Sequence, residues 1–433
     1  MKYEVSIIIP TYNKVGYTRR CLEALATNTP DHLYEVIIVD NGSTDATRTL
    51  LKDLEGDVKV ILNPQNQGFA RACNTGAQVA EGEFLLFLNN DTEPLPGWLE
   101  NLLRVATTEH QLGAVGCKLL FPDNTVQHAG VVIGFDATSG GLAPYHLYYR
   151  FDTLHPLVNK PRELQAVTGA CLLIPRNVFF QVGGFDEQFY NGYEDVDLCL
   201  RLREKGYRVV YTPWAQLIHH ESVSGPERFR KFRENLDILN ARWSGRTSPD
   251  DTRIYLEDGL IVRYEQREGT VTKSLGPIGG LLIVLSANSP PTQHCSRERP
   301  WPTKVIIAHE DLRSDTASPP SKDKGLCNQG CTQPGTVPSA DLPRAISAAL
   351  AGCDAVLFWS RPTRVPDDLI LELLASLTLA PNIGAIGAWG TCLVKPDLAS
   401  LVAHLFLSDR WEQRMLETVK GRGYKALTLG DSC

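Results

Sequence analysis

EFLLFLNND (residues 83–91) joins an apolar run to two amides and a carboxylate. A short, uninterrupted apolar run between polar segments is typical of a strand buried in the middle of a sheet. Asn89, Asn90 and Asp91 have an ordinary explanation, because Asn and Asp favour the turn that follows a strand. A carboxylate at a strand end can also hold a cation. The surrounding sequence decides between these two interpretations.

The same pattern extends on both sides of this stretch. VSIIIP, EVIIVD and VKVIL precede it, each followed by a helical pattern, and LQAVTGACLLIP, YRVVYTP and AQLIHH follow it as further strands. Alternation of strands and helices predicts an α/β fold with a mostly parallel central sheet that is covered by helices. In such a sheet, functional groups gather just beyond the carboxyl ends of the strands.

The bulk composition sets the class of protein. The chain has 433 residues, of which 43% are hydrophobic and 21% charged, with a formal net charge of -7. These values indicate a soluble globular protein of two or three domains and give no general attraction for nucleic acid. No apolar run reaches the roughly 20 residues of a membrane-spanning helix, and the N-terminal run is too short for a signal peptide. The eleven cysteines are therefore expected as reduced thiols in the cytosol.

Four polar clusters follow predicted strands: PTYN (10–13), DNGSTD (40–45), NPQNQGFARACN (63–74) and NND (89–91). Each alone is ordinary loop chemistry, with Asn-Gly for a turn and Ser or Thr for a helix cap. Four of them on one sheet edge favour a ligand site. Downstream, GYEDVDLCLR brings Glu194, Asp195 and Asp197 into one helical turn. Consecutive helical residues diverge by about 100°, so Glu194 and Asp195 cannot both point into one small site.

In this order and at these separations, the motifs resemble the family 2 glycosyltransferases. VIIVDNGSTD, NQGFARACNTG, LLFLNNDTEP, TGACLLIPR, GGFDEQF and HHESVS complete the likeness, which covers about residues 1–245. Within this inverting family the chain is similar to the bacterial enzymes of O-antigen and other surface polysaccharides, of the rhamnosyltransferase type. The resemblance implies the GT-A fold, a Rossmann-like α/β architecture with helices on both faces of the sheet.

The resemblance also implies a divalent metal, Mg²⁺ or Mn²⁺, on the diphosphate of a nucleotide sugar. The family's Asp-X-Asp motif reads Asn89-Asn90-Asp91 here, so one carboxylate is an amide. By resemblance Asp91 is the metal ligand and Asn90 contacts the donor. The second ligand corresponds to His219, with His220 as the alternative. A histidine at a strand end is otherwise an ordinary hydrogen-bonded residue.

The other roles follow from the same resemblance. Asp195 would be the general base that takes the proton of the acceptor hydroxyl, and Glu194 would bind the acceptor. VQHAG (126–130) recurs in the polysaccharide subgroup and would border the acceptor. The expected donor-binding residues are Pro10, Thr11, Asn13, Asp40, Asn66, Gly68, Arg71, Asn90, Gly169 and Ala170. Asp40 would accept a hydrogen bond from the pyrimidine base, and Arg71 would neutralise the diphosphate at a helix start. Their ordinary alternatives are a turn aspartate and a solvated helix residue.

A segment of the C-terminal part is similar in sequence to a segment of the N-terminal part. DAVLFWSRPTRVPDDLILELL followed by GAIG matches EFLLFLNNDTEPLPGWLENLL followed by GAVG. His309 takes the place of Asp40, and Ser360-Arg361-Pro362 that of Asn89-Asn90-Asp91. We interpret this as a decayed duplication, although any two α/β segments share a strand-then-helix pattern. The predicted domains are a GT-A domain (1–245), a connector (246–285) and a smaller, non-catalytic α/β domain (286–433), a degenerate GT-A-like copy. A Pro/Ser-rich loop is expected at about 286–342.

These expectations combine into one function. The chain would be an inverting glycosyltransferase that moves a sugar from a UDP- or dTDP-linked donor to a hydroxyl of a surface glycan or lipid-linked saccharide. The alternative is a non-catalytic protein that binds nucleotide sugars or glycans on a retained GT-A fold. No nucleic acid partner and no transmembrane segment are expected. The expected location is the cytoplasm, with peripheral association at the inner face of the membrane compatible with a lipid-linked acceptor.

Overall fold

A computed structural model describes most of the N-terminal part of the chain and selected segments beyond it. The described residues are 3–30, 33–54, 56–136, 141–220, 231–267, 270–277, 281–286, 303–309, 335–338, 346–347, 350, 353, 355–359, 373, 383–388, 391–395, 398–399, 411–421 and 425–428. The chain divides into two compact units, Met1–Asp251 and Thr252–Cys433.

The first unit alternates strands and helices along most of its length. Its strands are β1 (Val5–Thr11), β2 (Tyr34–Asp40), β3 (Val58–Leu62), β4 (Phe84–Leu88), β5 (Thr92–Pro94), β6 (Leu112–Leu120), β7 (Val126–His128), β8 (Val131–Asp136), β9 (Gly141–His146), β10 (Arg162–Glu163), β11 (Cys171–Pro175) and β12 (Arg208–His219). Its helices are α1 (Val15–Asn28), α2 (Thr47–Lys52), α3 (Phe69–Gln78), α4 (Trp98–Thr108), α5 (Arg176–Gln181), α6 (Glu194–Glu204), α7 (Phe232–Trp243) and α8 (Asp251–Glu257), which crosses into the second unit.

The central sheet has the strand order β10-β12-β6-β11-β4-β1-β2-β3. Strands β4, β1, β2 and β3 are parallel neighbours, β11 runs antiparallel between β4 and β6, and β12 is parallel to β6. This mixed, mostly parallel sheet with its helices confirms the predicted GT-A-like α/β fold. The two strands predicted over YRVVYTP and AQLIHH form one strand, β12, because an irregularity between Thr212 and Gln216 lets it continue past Pro213.

The apolar run that opens the site-forming stretch is the middle of the core. Every residue of β4 is buried, and Leu86 and Leu88 pack in one cluster with Ile7 and Ile9 of β1. Trp98 of α4 closes this cluster and donates its indole N–H to Thr29 Oγ1 at 2.9 Å. Each fully buried apolar side chain of this size contributes about 1.5–3 kcal/mol relative to exposure. Burial of the apolar run therefore sets the end of β4 at Leu88, directly before Asn89.

Strands β8 and β9 form a two-stranded sheet that is separate from the central sheet. β8 and β9 pair antiparallel from Val131 opposite His146 to Asp136 opposite Gly141. Asn240 of α7 accepts the backbone N–H of Leu142 at 2.6 Å, and Asp250 accepts that of Ile133 at 2.8 Å. Residues after the last predicted strand of the first domain therefore hold this hairpin in place.

The second unit has its own sheet. The strands are β13 (Leu260–Arg267), β14 (Thr270–Pro277), β15 (Leu281–Ser286), β16 (Thr303–His309), β17 (Gly335–Pro338), β18 (Ala355–Trp359), β19 (Ile383–Ala388), β20 (Thr391–Val394) and β21 (Lys425–Thr428), with helix α9 (Trp411–Gly421). β13 and β14 form a hairpin, and the other seven strands are ordered β17-β16-β15-β18-β20-β19-β21.

The predicted domain limits can be set beside these elements. The segment predicted as a connector, 246–285, contains α8, the β13–β14 hairpin and most of β15, which lies inside the second sheet. Within the predicted loop at 286–342, the structure describes β16, β17 and the last residue of β15, and the rest of that loop lies outside the described residues. The predicted limits remain a prediction. Among the residues that the structure describes, no helix is long and apolar enough to cross a membrane.

Candidate active site

A cavity of about 380 Å³ opens at the carboxyl edge of the parallel strands of the first unit. Strand ends contribute Pro10, Thr11, Asn41, Asn89, Asn90 and Asp91 to its wall, and the start of α6 contributes Glu194 and Asp195. His219 at the end of β12 and Gln127 of β7 complete the wall near Asp91. The cavity therefore brings the predicted metal ligands and the predicted base into one space.

Asp91 and His219 meet directly. Asp91 Oδ1 lies 3.1 Å from His219 Nε2, and both residues are buried, with 8% and 6% of their surface exposed. Strand pairing brings them together, because His219 of β12 is opposite Thr92 of β5. The tight connection from β4 to β5, closed by Thr92 N–H on Asn89 O at 3.3 Å, then puts Asp91 beside that pair.

The neighbouring histidine has another partner. His220 Nε2 lies 2.6 Å from Glu93 Oε1, and the His220 ring packs against Tyr17 with centroids 5.2 Å apart. His220 is not among the residues that line the cavity. The geometry thus favours His219 over His220 as the partner of Asp91.

The two amides of the motif have different contacts. Asn90 donates from Nδ2 to Thr18 Oγ1 at 2.9 Å and lines the cavity. Asn89 Nδ2 lies 3.4 Å from His219 Nε2, at long hydrogen-bonding distance. The amide that replaces the first carboxylate of the usual motif therefore faces the histidine.

The ligand atoms that Asp91 and His219 offer suit a hard divalent cation. Among the described residues, no group of three or more His, Cys, Asp or Glu could hold a metal ion. Asp91 and His219 offer one oxygen and one nitrogen ligand, so an ion here would take its remaining ligands from phosphate oxygens and water. Mg²⁺ and Mn²⁺ are commonly bound in this way, with few protein ligands and a diphosphate. The residues present therefore fit the expected ion.

Asp195 is held on the other wall of the cavity. Its Oδ2 accepts the Gly169 N–H at 2.7 Å and its Oδ1 accepts the Val196 N–H at 2.8 Å. A Cβ added at Gly169 would stand 3.3 Å from Asp195 Cβ, so a larger residue would crowd the carboxylate. Nearby, burial raises the pKa of Tyr193 to about 12, with the charge of Asp195 adding to the shift. Asp195 is half-buried, and its two backbone hydrogen bonds fix the orientation of the carboxylate.

Glu194 and Asp197 have separate tasks. Glu194 lines the cavity, and its Oε2 accepts the Gly192 N–H at 2.5 Å, which ties the residue to the loop before α6. Asp197 is fully buried and bridges two helices through Arg201 and Arg242, each at 2.7 Å. Asp197 therefore joins α6 to α7.

Part of the predicted donor set lines the cavity: Pro10, Thr11, Asn66, Asn90, Gly169 and Ala170. Thr11 is 1% exposed, and its hydroxyl has no hydrogen-bond partner among the residues that the structure describes. A buried hydroxyl without a partner is costly unless a ligand or water completes it. This orphan oxygen therefore marks a place where a bound molecule would be hydrogen-bonded.

Four predicted donor residues lie outside the lining: Asn13, Asp40, Gly68 and Arg71. Asp40 is fully buried, and its Oδ2 accepts Arg48 Nε at 2.7 Å. Arg71 is exposed and pairs with Glu187 at 2.7 Å. Asn13 instead accepts the Thr44 N–H at 2.8 Å, and Gly68, with φ of 88°, lets the chain pass Tyr190 closely.

The structure adds cavity residues that the sequence did not single out. Asn41 lines the cavity and organises the loop after β3, since its Oδ1 accepts the Gln67 N–H at 3.1 Å and its Nδ2 donates to Asn66 Oδ1 at 2.9 Å. Tyr145 and His146 come from the β8–β9 hairpin, and Phe232 from α7. The only sequence signals were the DNGSTD motif for Asn41 and VQHAG for Gln127.

Comparisons with known proteins identify the family of the chain. The family model described as "Glycosyl transferase family 2" matches residues 6–181, and the model described as "N-terminal domain of galactosyltransferase" matches residues 150–222. The N-acetylglucosaminyl-diphospho-decaprenol L-rhamnosyltransferase of Mycobacterium tuberculosis is 31% identical over 238 residues, which are 50% of this chain and 76% of that protein. The chain belongs to glycosyltransferase family 2.

Two further similarities concern the family 2 domain. The O-antigen biosynthesis protein RfbC of Myxococcus xanthus is 39% identical over 229 residues, 51% of this chain but only 18% of that protein. A crystal structure of GalNAc-T7 with UDP, GalNAc and Mn²⁺ is 20% identical, with a TM-score of 0.42, and covers 50% of this chain and 44% of that one.

Proposed function

We propose that the first unit is an inverting glycosyltransferase that moves a sugar from a UDP- or dTDP-linked donor to a hydroxyl of a surface glycan or a lipid-linked saccharide. The observation that carries this proposal is the single cavity that Asp91, His219 and Asp195 share. A transferase needs a charge-neutralising group for the diphosphate and a base for the acceptor within one site. A chain with those groups in separate places could not perform the reaction.

In this proposal Asp91 and His219 hold Mg²⁺ or Mn²⁺. The ion would neutralise the charge that grows on the leaving diphosphate. Asn90 and the orphan hydroxyl of Thr11 would hydrogen-bond the donor, with Asn66, Gly169 and Ala170 around them. Asp40 and Arg71 do not line the cavity, and their charged groups face Arg48 and Glu187. We therefore base the proposed donor contacts on the residues that line it. Asn41 replaces Asp40 in the proposed base pocket.

Asp195 would take the proton of the attacking hydroxyl. Its two backbone hydrogen bonds use only part of the acceptor capacity of a carboxylate, which has about four lone-pair sites. A hydroxyl donor can therefore still reach it. The same two bonds keep the carboxylate from rotating, which favours proton transfer along one direction. Glu194 would orient the acceptor from the loop that it anchors.

The acceptor class is proposed from the relatives. One relative is named for O-antigen biosynthesis and another for rhamnosyl transfer to a diphospho-decaprenol carrier. Both names point to saccharides built for a cell surface. We expect the reaction in the cytoplasm, where a lipid-linked acceptor would bring the chain to the inner face of the membrane.

The test is a panel of nucleotide sugars, including UDP- and dTDP-linked hexoses and deoxyhexoses, with the full chain. We expect thermal stabilisation that requires Mn²⁺ or Mg²⁺, followed by release of the nucleotide that rises when a suitable saccharide is added. Metal-dependent binding without turnover under any acceptor would favour the alternative of a non-catalytic binding protein. Absence of nucleotide binding with and without metal would overturn both.

A further inference from the structure

Gln127 has no role in the proposal above, yet it lies closer to a ring nitrogen of His219 than Asp91 or Asn89 does. It is 1% exposed, lines the cavity and touches His219 twice. Gln127 Oε1 lies 2.6 Å from His219 Nδ1, and Gln127 Nε2 donates to the backbone oxygen of His219 at 3.3 Å.

The second contact fixes the direction of the amide. A backbone carbonyl only accepts hydrogen bonds, so the group of Gln127 that faces it must be the NH₂. The amide oxygen then faces Nδ1, and Nδ1 must carry the hydrogen of that 2.6 Å bond. In a neutral imidazole only one ring nitrogen is protonated, so Nε2 presents a lone pair.

That lone pair points at a second acceptor. Nε2 lies 3.1 Å from Asp91 Oδ1 and 3.4 Å from Asn89 Nδ2. In the neutral ring, the lone pair and the carboxylate oxygen repel each other unless a positive charge, a proton or a cation, lies between them. We propose that Gln127 is a positioning residue, which holds His219 in the Nδ1–H tautomer so that Nε2 and Asp91 form the two protein ligands of a divalent cation. This inference rests on the proposed function for the identity of the cation, but the tautomer itself does not depend on any metal.

A local irregularity of the sheet aims Gln127 at this target. In the antiparallel pair of β6 and β7, Leu119 is opposite His128 but Leu120 is opposite Val126, so Gln127 is the extra residue of a bulge. Bulges re-aim side chains and are frequent beside active sites. The main chain is anchored as well, because the Gln127 carbonyl accepts His146 Nδ1–H at 3.0 Å. The bulge and this anchor place the amide beside His219.

The experiment compares four forms of the full chain: the natural protein, Gln127→Leu, Gln127→Glu and Gln165→Leu. Leucine keeps the volume but removes the amide, whereas glutamate restores an acceptor for Nδ1–H. Gln165→Leu is the matched control, because Gln165 also donates to a backbone carbonyl, that of Ser248 at 2.8 Å, but does not line the cavity. Imidazole ¹⁵N shifts are recorded on metal-free protein at pH 8, with His219 assigned through His219→Asn, and Mn²⁺ affinity is measured by electron paramagnetic resonance.

The natural protein and Gln165→Leu should show a protonated Nδ1 and an unprotonated Nε2 on His219. Gln127→Leu should lose this pattern and weaken Mn²⁺ binding by about 10- to 100-fold, and Gln127→Glu should recover the pattern. An Nε2–H tautomer in the natural protein, or an unchanged tautomer in Gln127→Leu, would overturn the role of Gln127. The expected tautomers without Mn²⁺ binding in any form would instead overturn the metal in the proposed function.

Discussion

The two sheets of this protein have the same strand order but different residues at the carboxyl ends of equivalent strands. In the first unit seven strands lie in the order β3-β2-β1-β4-β11-β6-β12, and in the second unit seven strands lie in the order β17-β16-β15-β18-β20-β19-β21. The match holds for direction too: β20 is antiparallel to both of its neighbours, as β11 is, and β21 is parallel to β19, as β12 is to β6. This agreement is what the predicted duplication requires.

The helix before the last strand extends the match. Helix α9 precedes β21 as α6 precedes β12, and the two strands begin in the same register, Arg208 opposite Leu112 and Lys425 opposite Ile383, with an irregularity directly after each pair. By this register Glu412 occupies the position of Asp195 and Trp411 that of Glu194.

The two units differ in the residues that end or follow equivalent strands. The register puts His309 at the place of Asp40, and the residues after β18 read Ser360-Arg361-Pro362, where the first unit has Asn89-Asn90-Asp91. Those three residues lie outside the described part of the chain. The apolar pattern of a strand is kept by burial, but residues beyond its end are free to change without loss of the sheet. A fold can therefore be copied while its chemistry is not.

The largest expected difference in enzyme activity is between substitutions at two equivalent positions, Asp195 and Glu412. Asp195→Asn should lower sugar transfer by about 10²- to 10⁴-fold, the usual contribution of a general base, and leave nucleotide binding intact. Glu412→Gln should leave transfer unchanged. Rates with the best donor, together with calorimetric nucleotide titrations, measure both. A comparable loss in Glu412→Gln would mean that the second unit takes part in the chemistry.

The metal offers the next contrast. Asp91→Asn should weaken Mn²⁺ binding in the presence of UDP by about 100-fold or more, since direct ligands matter more than the groups that orient them. His220→Gln, whose histidine pairs with Glu93, is the control and should bind normally. The natural chain should bind one Mn²⁺ per UDP site. A second Mn²⁺ that still binds tightly to Asp91→Asn would contradict the prediction that the second unit has no metal site.

Matched core substitutions compare the two scaffolds. Leu86 in β4 and Leu357 in β18 are fully buried and occupy the same register position, opposite Ile7 and Ile283. Each change to alanine should lower the free energy of unfolding of its own unit by about 2–5 kcal/mol. Leu62→Ala, at a half-exposed position on edge strand β3, should change it by less than about 0.5 kcal/mol. Urea titrations measure the free energies, and UDP binding in Leu357→Ala at low temperature should stay normal. Loss of UDP binding there would show that the second core supports the first site.

The smallest expected effect is a pH dependence confined to the first unit. Burial raises the pKa of Asp250 from 3.8 to about 6, with the charge of Asp251 contributing. A raised folded-state pKa stabilises the protein below the unfolded value, and this stability is lost as pH rises through about 6. Asp250→Asn should therefore gain melting temperature relative to the natural protein between pH 4 and pH 7. Asp53→Asn, at an exposed position, should show no such trend, and a gain at low pH in Asp250→Asn would contradict the sign.

Particular residues show how far the sequence could go. The alternation around EFLLFLNND predicted the sheet, and the order of the motifs predicted that Asp91, His219 and Asp195 would meet; the cavity contains all three. Asp40 and Arg71 had equally good motif positions, but Arg48 and Glu187 face their charges. Which partner a charged side chain takes depends on groups up to 116 positions away, as for Arg71 and Glu187. No local pattern carries that information.

The sequence by itself determined the strand-and-helix alternation, the burial of β4 and the set of polar residues that end the parallel strands. These follow from periodicity and from the rule that parallel strands end on a common edge. Tertiary structure alone decided that His219 rather than His220 faces Asp91, that a bulge aims Gln127 at His219, and in which register the strands of the second sheet pair. The reason is that register, bulges and side-chain partners are set by contacts between distant segments, and only packing selects among them.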